Sequence, residues 1–402
     1  MSVPAILTIN TGSSSVKVSV HTLENGDAAE RIAEGAITGL PGAAKPDMFI
    51  AGKDRSREAA SAIAPQGKSP PQMVAALAEW LAGELEHHEI AAVGHRVVHG
   101  GRMHDGPCRV SADTLRGLEK LVPLAPAHQP HNLAGVEAIA ALWPETTQSL
   151  SFDTAFHRTQ PALAEEYALP RALTAEGIVR YGFHGLSYQH LSDRLGEVFD
   201  GRAHGRVIAA HLGSGASLAA LKDGRSIATS MGLTALDGLP MSTRCGDLDP
   251  GVVLHLIQDR GMSPAGVSDL LYSQSGLRGV SGISGDVRDL LQSEAPEAAE
   301  ALALYAYRIA REIGSLAAAL EGVDALIFTA GVGENSPEIR SGVCSRLRWL
   351  GADLDEAANR ENAPLISSPC SRIAVAVVPA DEEIVIARET AGIYAQARNR
   401  VC

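Results

Sequence analysis

Two strand-forming segments of this sequence each break on a turn of small residues that could bind phosphate. One runs from Leu7 to Val18 and the other from Ile208 to Leu218, and aligning them pairs Asn10 with His211. Small residues leave the backbone open to an anion, and consecutive N–H groups in a turn form a concave anion site. A single copy is equally compatible with an ordinary hairpin. Two copies, about 200 residues apart, predict two related halves that face one polyphosphate.

Several short apolar segments, including these two, end in polar or glycine-rich breaks. The breaks contain charged residues, histidines and glycines, which are the residue types that bind and transfer a charged group. They are Asn10 to Gly12, His95-Arg96, Asp153, His184-Gly185, His211 to Gly213, Arg244, Gly331 to Gly333 and Asp381 to Glu383. Ligands of open α/β sheets gather beyond the ends of strands. We therefore expect these residues to converge in one cleft.

The elements that must position these residues alternate between helices and buried strands. Ser69 to Gln72 has the pattern of an N-cap with a capping-box glutamine, and apolar residues at helical spacing follow it. A short strand comes next, at Ala91 to Gly94, and this order favours an α/β sheet. Further helices are predicted at 112–122, 132–142, 298–320 and 384–398, and further strands at 150–153, 324–329 and 372–378.

Composition and charge restrict the class of protein and its partners. The chain has 402 residues, of which 45% are hydrophobic and 20% charged, as in ordinary globular proteins with two or three domains. Its formal net charge is −13, without a basic cluster, which argues against nucleic acid or an anionic membrane as a partner. The five scattered cysteines form no C-x-x-C pair, and no secretory or membrane-spanning segment is evident. We therefore expect a cytoplasmic protein.

The ordered set of motifs along the chain resembles the acetate kinase family, within the sugar kinase, Hsp70 and actin-like fold group. The motifs that carry the resemblance are Asn10 to Ser15, Gly94 to Gly101, Phe152 to His157, Tyr181 to Gly185, His211 to Ser217, Thr243 to Pro250, Phe328 to Asn335 and Pro379 to Glu383. The resemblance implies two related actin-like (ribonuclease H-like) α/β domains with a nucleotide cleft between them. The expected domains are 1–153 with a returning segment 388–402, and 154–387.

The resemblance implies reversible transfer of a phosphoryl group from ATP to acetate, giving acetyl phosphate and ADP. It also implies Mg²⁺ or Mn²⁺ as the metal and a homodimer formed through the second domain. A carboxylate is ionised at neutral pH, so the nucleophile needs no strong base. The site must bring two anions together in line and neutralise charge on the phosphoryl group in flight.

The family match assigns roles to individual residues of this chain. The expected catalytic residues are Asp153, His184 and Arg244, the last two acting on the transferring phosphoryl group. Arg96, Val98, His128 and Phe183 are expected to bind acetate, and Asn10 and Glu382 to face the metal beside Asp153. The expected nucleotide-binding residues are Lys17, His211, Leu212, Gly213, Ser214, Gly215, Asp286, Val287, Arg288, Gly331, Val332, Gly333, Glu334 and Asn335. We expect 331–335 to turn tightly near the ribose and α-phosphate.

The chain departs from the family pattern at four positions. Ser214 stands where Asn is usual and Val287 where Phe is usual, which predicts changed nucleotide contacts. Ala127 and Ala235 stand where Leu and Pro are usual in the acyl pocket. Both alanines shrink the side chain, so propionate kinase is the alternative function within the family.

Two functions from other classes are also compatible with parts of the sequence. A zinc hydrolase could use the histidine pairs His95/His99 and His128/His131, but the H-E-x-x-H motif is absent. A non-catalytic ATP-binding regulator of the same fold would keep the glycine turns. It would have no use for Arg96, His184 and Arg244 together.

Overall fold

A computed structural model describes residues 2–12, 15–40, 45–51, 69–85, 87–199 and 205–399 of the chain. Ser13 and Ser14 of the first predicted phosphate turn, and residues 400–402 of the predicted returning segment, lie outside these ranges. The chain divides into two compact units. Unit 1 comprises Met1–Phe156 and Asp381–Cys402, and unit 2 comprises His157–Ala380.

Unit 1 contains a mixed sheet with the strand order β4-β3-β2-β1-β5-β7-β6 among the described residues. Its strands are β1 (Val3–Thr11), β2 (Ser15–Glu24), β3 (Asp27–Thr38), β4 (Lys45–Ile50), β5 (His88–Val97), β6 (Cys108–Arg109) and β7 (Thr147–Phe152). Strand β1 pairs antiparallel with β2 and parallel with β5, and β5 pairs parallel with β7. The ends of β1, β5 and β7 therefore lie at one edge of the sheet.

Unit 2 contains a second sheet, with the order β10-β9-β8-β11-β12 in the described part of the chain. Its strands are β8 (Arg206–Leu212), β9 (Ala216–Lys222), β10 (Arg225–Thr229), β11 (Ala325–Thr329) and β12 (Ala374–Val377). The succession β3-β2-β1-β5-β7 in unit 1 has the same order and the same strand directions as β10-β9-β8-β11-β12. The repeat predicted from two hairpins therefore extends to five strands of each sheet.

The two aligned turns differ in length. Thr11 pairs with Val16 across the first turn, whereas Leu212 pairs with Ala216 across the second. The first turn is therefore one residue longer, and its Gly12 N–H donates to the carbonyl of Ser15 at 2.8 Å. Asn10 and His211 stay equivalent on the first strand of each hairpin, but the second strands are offset by one residue.

Helices cover both sheets. In the described residues they are α1 (Pro70–Glu84), α2 (Ala112–Glu119), α3 (Gln129–Leu142), α4 (Ala162–Glu165), α5 (Arg171–Ala175), α6 (Gly185–Asp193), α7 (Leu195–Val198), α8 (Pro250–Gln258), α9 (Pro264–Ser273), α10 (Gly276–Ser281), α11 (Val287–Gln292), α12 (Pro296–Ala319), α13 (Ala330–Asn335), α14 (Pro337–Ser345), α15 (Glu356–Arg360) and α16 (Glu382–Asn399). Three 3₁₀ helices lie at Val122–Leu124, Ala155–Thr159 and Arg348–Leu350. None of the helices that the structure describes is both long enough and apolar enough to span a membrane.

Two helix boundaries differ from the predicted ones by three residues. Helix α2 ends at Glu119 rather than near 122, and Pro123 lies in the separate 3₁₀ helix Val122–Leu124 that follows. Helix α3 begins at Gln129 rather than 132, with Pro130 in its first turn. Proline fits there because the first N–H groups of a helix have no intrahelical partner.

The last helix, α16, packs closely on strand β5 of unit 1 at Gly94. A Cβ on Gly94 would lie 2.1 Å from Thr390 Oγ1 and 2.7 Å from Ile386 Cγ2. Only glycine allows this approach, and Thr390 is also hydrogen-bonded to Ser149 of β7 at 2.8 Å. The start of α16 is thereby placed at the sheet edge where β5 and β7 end.

Candidate functional site

In unit 1 the functional residues gather at the ends of β1, β5 and β7. Arg96 lies in β5, and Asp153 follows the last residue of β7, the neighbouring strand. The guanidinium of Arg96 donates from Nε to Asp153 Oδ1 at 2.8 Å and from Nη2 to Oδ2 at 2.6 Å. This two-pronged arrangement fixes the planes of both groups.

Arg96 also contacts the two other predicted residues of this edge. Its Nη1 donates to Asn10 Oδ1 at 3.2 Å, and its Nε lies 3.8 Å from Glu382 Oε2. Burial raises the pKa of Glu382 to about 7; the nearby Asp153 and Glu383 add to this effect and Arg96 opposes it. One guanidinium therefore pairs with the buried Asp153 and also contacts the partly buried Glu382.

The oxygen atoms at this edge fit a small, hard cation. Asp153, Glu382 and Asn10 offer carboxylate and amide oxygens, the donor type that Mg²⁺ prefers, and Mg²⁺ usually keeps several water ligands. In the described parts of the chain, no group of three or more His, Cys, Asp and Glu side chains is arranged as a metal site. Asp153, Glu382 and Asn10 supply oxygen donors and no histidine, so their chemistry suits Mg²⁺ better than zinc.

Two buried amides that the sequence analysis missed hold the strand ends of unit 1. Asn132 of α3 accepts from the Val98 N–H at 3.0 Å and donates to the Thr11 carbonyl at 2.6 Å. Gln129 accepts from the His99 N–H at 3.2 Å. Their only sequence signal is amides on an otherwise apolar helix face. The predicted His128 directly precedes these residues, at the start of α3.

In unit 2, His184 occupies a backbone conformation that few residues adopt. Its φ of 59° and ψ of 25° are left-handed, and it forms the N-cap of α6. The preceding residue, Phe183, is buried, and its carbonyl accepts from His157 Nε2 at 3.0 Å. Non-glycine residues pay for a left-handed backbone, and such strain clusters at functional sites. The fold therefore holds His184 in a backbone conformation that is energetically unfavourable for a non-glycine residue.

The His184 imidazole has a defined partner on each side. Its Nδ1 is 2.8 Å from Ser217 Oγ, and its ring stacks on that of His211, with centroids 4.1 Å apart and planes 14° apart. His211 is itself hydrogen-bonded through Nδ1 to Ser187 Oγ at 2.9 Å. The Nε2 atom of His184 is thereby turned to the opposite side, toward the turn 213–215.

His184 and Arg244 meet at Gly215. A Cβ placed on Gly215 would lie 3.3 Å from His184 Nε2 and 3.7 Å from Arg244 Nη1. Arg244 Nη1 also donates to the Ala235 carbonyl at 3.0 Å, and burial lowers the pKa of Arg244 from its ordinary value. Two nitrogen donors therefore face the glycine turn that was predicted to bind phosphate.

An open cavity of about 460 Å³ adjoins this turn within unit 2. Its lining includes the predicted residues Gly213, Ser214, Asp286, Val287, Arg288, Gly331, Val332 and Asn335. Ser242, Leu277, Gly285 and Ser336 also line it, and the sequence analysis did not name them. The volume lies within the usual range for small-molecule sites.

Three of the predicted nucleotide residues outside this lining have other environments. Leu212 is fully buried in β8, so it supports the turn from within the sheet. Glu334 accepts from the Ala380 N–H at 2.9 Å. Lys17 belongs to unit 1, where it is opposite Asn10 on β2 and influences the pKa of Glu382.

The expectation of a tight turn at 331–335 was wrong, because these residues form the short helix α13. The helix is stabilised by Arg340, which has no exposed surface. Arg340 Nη1 donates to the carbonyls of Gly333 at 2.8 Å and Glu334 at 2.9 Å, and Nε donates to Asn359 Oδ1 at 2.7 Å. The carbonyls at the helix end are thus satisfied by a side chain from α14, a contact between separate elements that local pattern does not reveal.

Comparison with known sequences gives one coherent result. The model of the Acetokinase family matches residues 5–388. An acetate kinase of Rhodopseudomonas palustris (strain TIE-1) is 48% identical over 387 residues, covering 95% of this chain and 96% of that protein. An acetate kinase of Nitrobacter hamburgensis is 47% identical over 387 residues, covering 96% and 95% respectively.

Solved structures agree in fold. A propionate kinase from Francisella tularensis superposes with a TM-score of 0.87 at 34% identity, covering 97% of this chain and 99% of that one. The Porphyromonas gingivalis acetate kinase gives a TM-score of 0.83 at 36% identity, with the same coverage. Both neighbours share the two-domain α/β architecture of this chain.

Proposed function

Because this chain belongs to the acetokinase family, we propose that it transfers the γ-phosphoryl group of ATP directly to the carboxylate of acetate. The products are acetyl phosphate and ADP, and the reaction is reversible. The observation that carries the proposal is the meeting of His184 Nε2 and Arg244 Nη1 at Gly215. These two donors suit the charge that develops on equatorial phosphoryl oxygens during transfer.

Arg96 is the proposed acetate-binding residue. A guanidinium has five N–H groups, and the contacts to Asp153 and Asn10 use three of them. The remaining two are available for a substrate carboxylate. Val98, buried beside the Asn132 amide, and Phe183 are proposed to line the methyl group, with His128 nearby in the substrate region.

ATP is proposed to bind in unit 2. Its adenosine lies in the cavity lined by Asp286, Val287, Arg288 and α13, and its phosphates lie along the turn 213–215. Asp286 caps α11 by accepting from the Arg288 N–H at 2.9 Å. This bond holds one wall of the cavity in a fixed conformation.

Asp153, Glu382 and Asn10 are the residues proposed to hold Mg²⁺, with Mn²⁺ as a substitute. The bound metal would supply charge neutralisation on the phosphate oxygens. Arg96 fixes the orientation of Asp153 through two hydrogen bonds. We do not assign Asp153 the role of a base, because acetate is already ionised.

We propose that unit 1 and unit 2 are the two predicted actin-like domains, although the units divide at 156/157 and 380/381 and not at the predicted 153/154 and 387/388. We also propose a homodimer formed through unit 2. Helix α8 supports it, because this apolar helix has no buried residue and exposes 38% of Val252 and 54% of Leu254. Exposed apolar surface of this kind marks contact sites between proteins.

Propionate is the alternative substrate. Ala127 and Ala235 are smaller than the residues expected at these positions, and a propionate kinase is among the similar structures. One methylene in an apolar pocket changes specificity by about 1–3 kcal/mol. The two acids would therefore differ in efficiency without exclusion of either one.

The test is formation of acyl hydroxamate from ATP, Mg²⁺ and hydroxylamine with acetate, propionate or butyrate. We expect product with acetate and a loss of about 100-fold or more in kcat for Arg244→Lys, because lysine lacks the planar fork. Arg260→Lys, a change at an exposed arginine of unit 2, is the matched control. No hydroxamate with any of the three acids would contradict the proposed function, and full activity in Arg244→Lys would contradict the role of Arg244. Propionate as the better substrate would favour the alternative.

A further inference from the structure

The His184 imidazole is the end of a buried chain of hydrogen bonds. Its Nδ1 is 2.8 Å from Ser217 Oγ, and Ser217 Oγ is 2.6 Å from the phenolic oxygen of Tyr188. Ser217 and Tyr188 both have no exposed surface. Ser217 and Tyr188 therefore interact in a region that water does not reach, and His184 is the partly exposed end of the chain.

Secondary structure fixes this chain of groups. Tyr188 lies one turn after His184 on α6, and its N–H donates to the His184 carbonyl at 3.1 Å. Ser217 lies on β9, directly opposite His211 of β8. Because stacking on His211 also restrains the imidazole, the hydroxyl of Ser217 meets the same ring nitrogen in every molecule.

The chemistry of the three groups decides where the protons lie. A phenol is more acidic than an aliphatic alcohol, so Tyr188 is the better donor and Ser217 the better acceptor in their short contact. A serine hydroxyl has one proton to donate. In the arrangement that these acidities favour, Ser217 accepts from Tyr188 and donates its own proton to His184 Nδ1. The neutral imidazole then carries its proton on Nε2, the nitrogen that faces Gly215 and Arg244.

We propose that Tyr188 is a positioning residue that selects the Nε2–H tautomer of His184 through Ser217. The inference rests on the proposed function, in which Nε2–H donates to the transferring phosphoryl group. Tyr188 touches neither substrate in this scheme. It makes a neutral histidine a donor on the required side, because the opposite nitrogen is already occupied as an acceptor.

Tyr188→Phe tests the proposal with little change in shape. Without the phenolic proton, Ser217 accepts from Nδ1–H as readily as it donates, so both tautomers become populated. We expect kcat to fall about tenfold, with the KM values for ATP and acetate unchanged. Tyr305→Phe, which removes a hydroxyl from another buried tyrosine of unit 2, is the matched control and should leave kcat unchanged.

A direct readout is the two-bond ¹H–¹⁵N spectrum of protein labelled with ¹⁵N-histidine. The His184 signals are identified by their loss in His184→Gln. We expect a protonated Nε2 and an unprotonated Nδ1 in the unmodified protein, and a mixture of tautomers in Tyr188→Phe. An unchanged tautomer in Tyr188→Phe would overturn the proposal, even if kcat fell, since the loss would then be structural.

A second substitution keeps the test independent of any packing defect at Tyr188. Ser217→Ala removes the donor to Nδ1 and should also mix the tautomers, whereas Ser217→Thr retains a hydroxyl and should restore the Nε2–H form. Failure of threonine to restore it, with folded protein, would count against the proposal. No acyl phosphate from the unmodified protein would refute the proposed function, and full activity in His184→Gln would refute the role of Nε2–H as a donor; the tautomer measurement stands apart from both results.

Discussion

Individual functional side chains in both units depend on buried partners that hold them in one orientation. Arg96 is fixed by both oxygens of Asp153, and His184 is fixed by Ser217 and by the stacked ring of His211. Precise placement of a reacting group is worth several kcal/mol of a barrier. The partners are therefore as necessary to the proposed chemistry as the residues that touch substrate.

His157 provides a residue-scale prediction about pH. Burial, the largest cause, lowers its pKa from 6.5 to about 4, so it stays neutral in the folded protein and donates to the Phe183 carbonyl. The unfolded chain binds a proton below pH 6.5, so stability is complete above that value and falls as pH approaches 4. His157→Gln keeps a donor but does not titrate, and should reduce the slope of stability against pH by up to about 1.4 kcal/mol per pH unit.

Urea unfolding at several pH values within this window measures the slope. His87→Gln, at an exposed histidine, is the control and should leave the slope unchanged. Equal slopes for the unmodified protein and His157→Gln would show that His157 is not held neutral by the fold.

At the scale of elements, the placement of Glu382 depends on how helix α16 begins. Asp381 Oδ1 accepts from the Ile384 N–H at 3.1 Å, which caps the helix. Arg31 of β3 forms an ion pair with the other oxygen of Asp381 and a second one with Glu34 at 2.7 Å. A strand on one side of the sheet therefore helps to set the first residue of the helix, which is Glu382.

Arg31→Met tests this arrangement. The change keeps most of the length of the side chain but removes the ion pair with the capping Asp381. We expect a loss of about 1 kcal/mol or less in stability and a severalfold rise in the Mg²⁺ concentration that gives half-maximal activity. Glu34→Gln, which leaves the Arg31–Asp381 pair in place, should behave like the unmodified protein. An unaltered Mg²⁺ dependence in Arg31→Met would refute the role of this cap in positioning Glu382.

The sequence predicted those helices and hairpins that are determined by residues close together in the chain. The hairpin β8–β9 follows from a strand, three small residues and a second strand, and the start of α1 follows from the capping box at Ser69 and Gln72. Helix α13 was not predictable in this way. Its end is satisfied by Arg340, which arrives from α14, and the glycines of the segment by themselves favour a turn.

At the scale of the whole molecule, the same order of five strands occurs in both units, and the two sheets position different chemical groups. Unit 1 provides an arginine between two carboxylates, and unit 2 provides a histidine and an arginine around a glycine turn with an adjoining cavity. Unit 1 thus supplies carboxylates beside an arginine, whereas unit 2 supplies two nitrogen donors. This division suits a reaction that joins a carboxylate to a phosphoryl group.

The proposed homodimer gives a prediction at this scale. The unmodified protein should have a solution mass of twice the 42.0 kDa chain. Leu254→Glu should weaken the association, because it places a charge on the exposed apolar face of α8. Phe49→Glu, at an exposed apolar residue of unit 1, is the control. Light scattering after size exclusion measures the mass, and a dimer unaffected by Leu254→Glu would exclude α8 from the interface.

The sequence by itself determined the family, the α/β class and the repeated strand–turn–strand unit, because these depend on local patterns and on ordered motifs. It also identified the residues whose side chains could take part in the reaction, such as Arg96, Asp153, His184 and Arg244. Only the tertiary structure decided how they are held. The amide of Asn132 bridging two strand ends, Arg340 beneath α13 and the hydroxyls of Ser217 and Tyr188 behind His184 are contacts between elements distant in sequence. Such contacts arise when buried polar groups must find partners in a packed interior, and no local pattern specifies which partner each one finds.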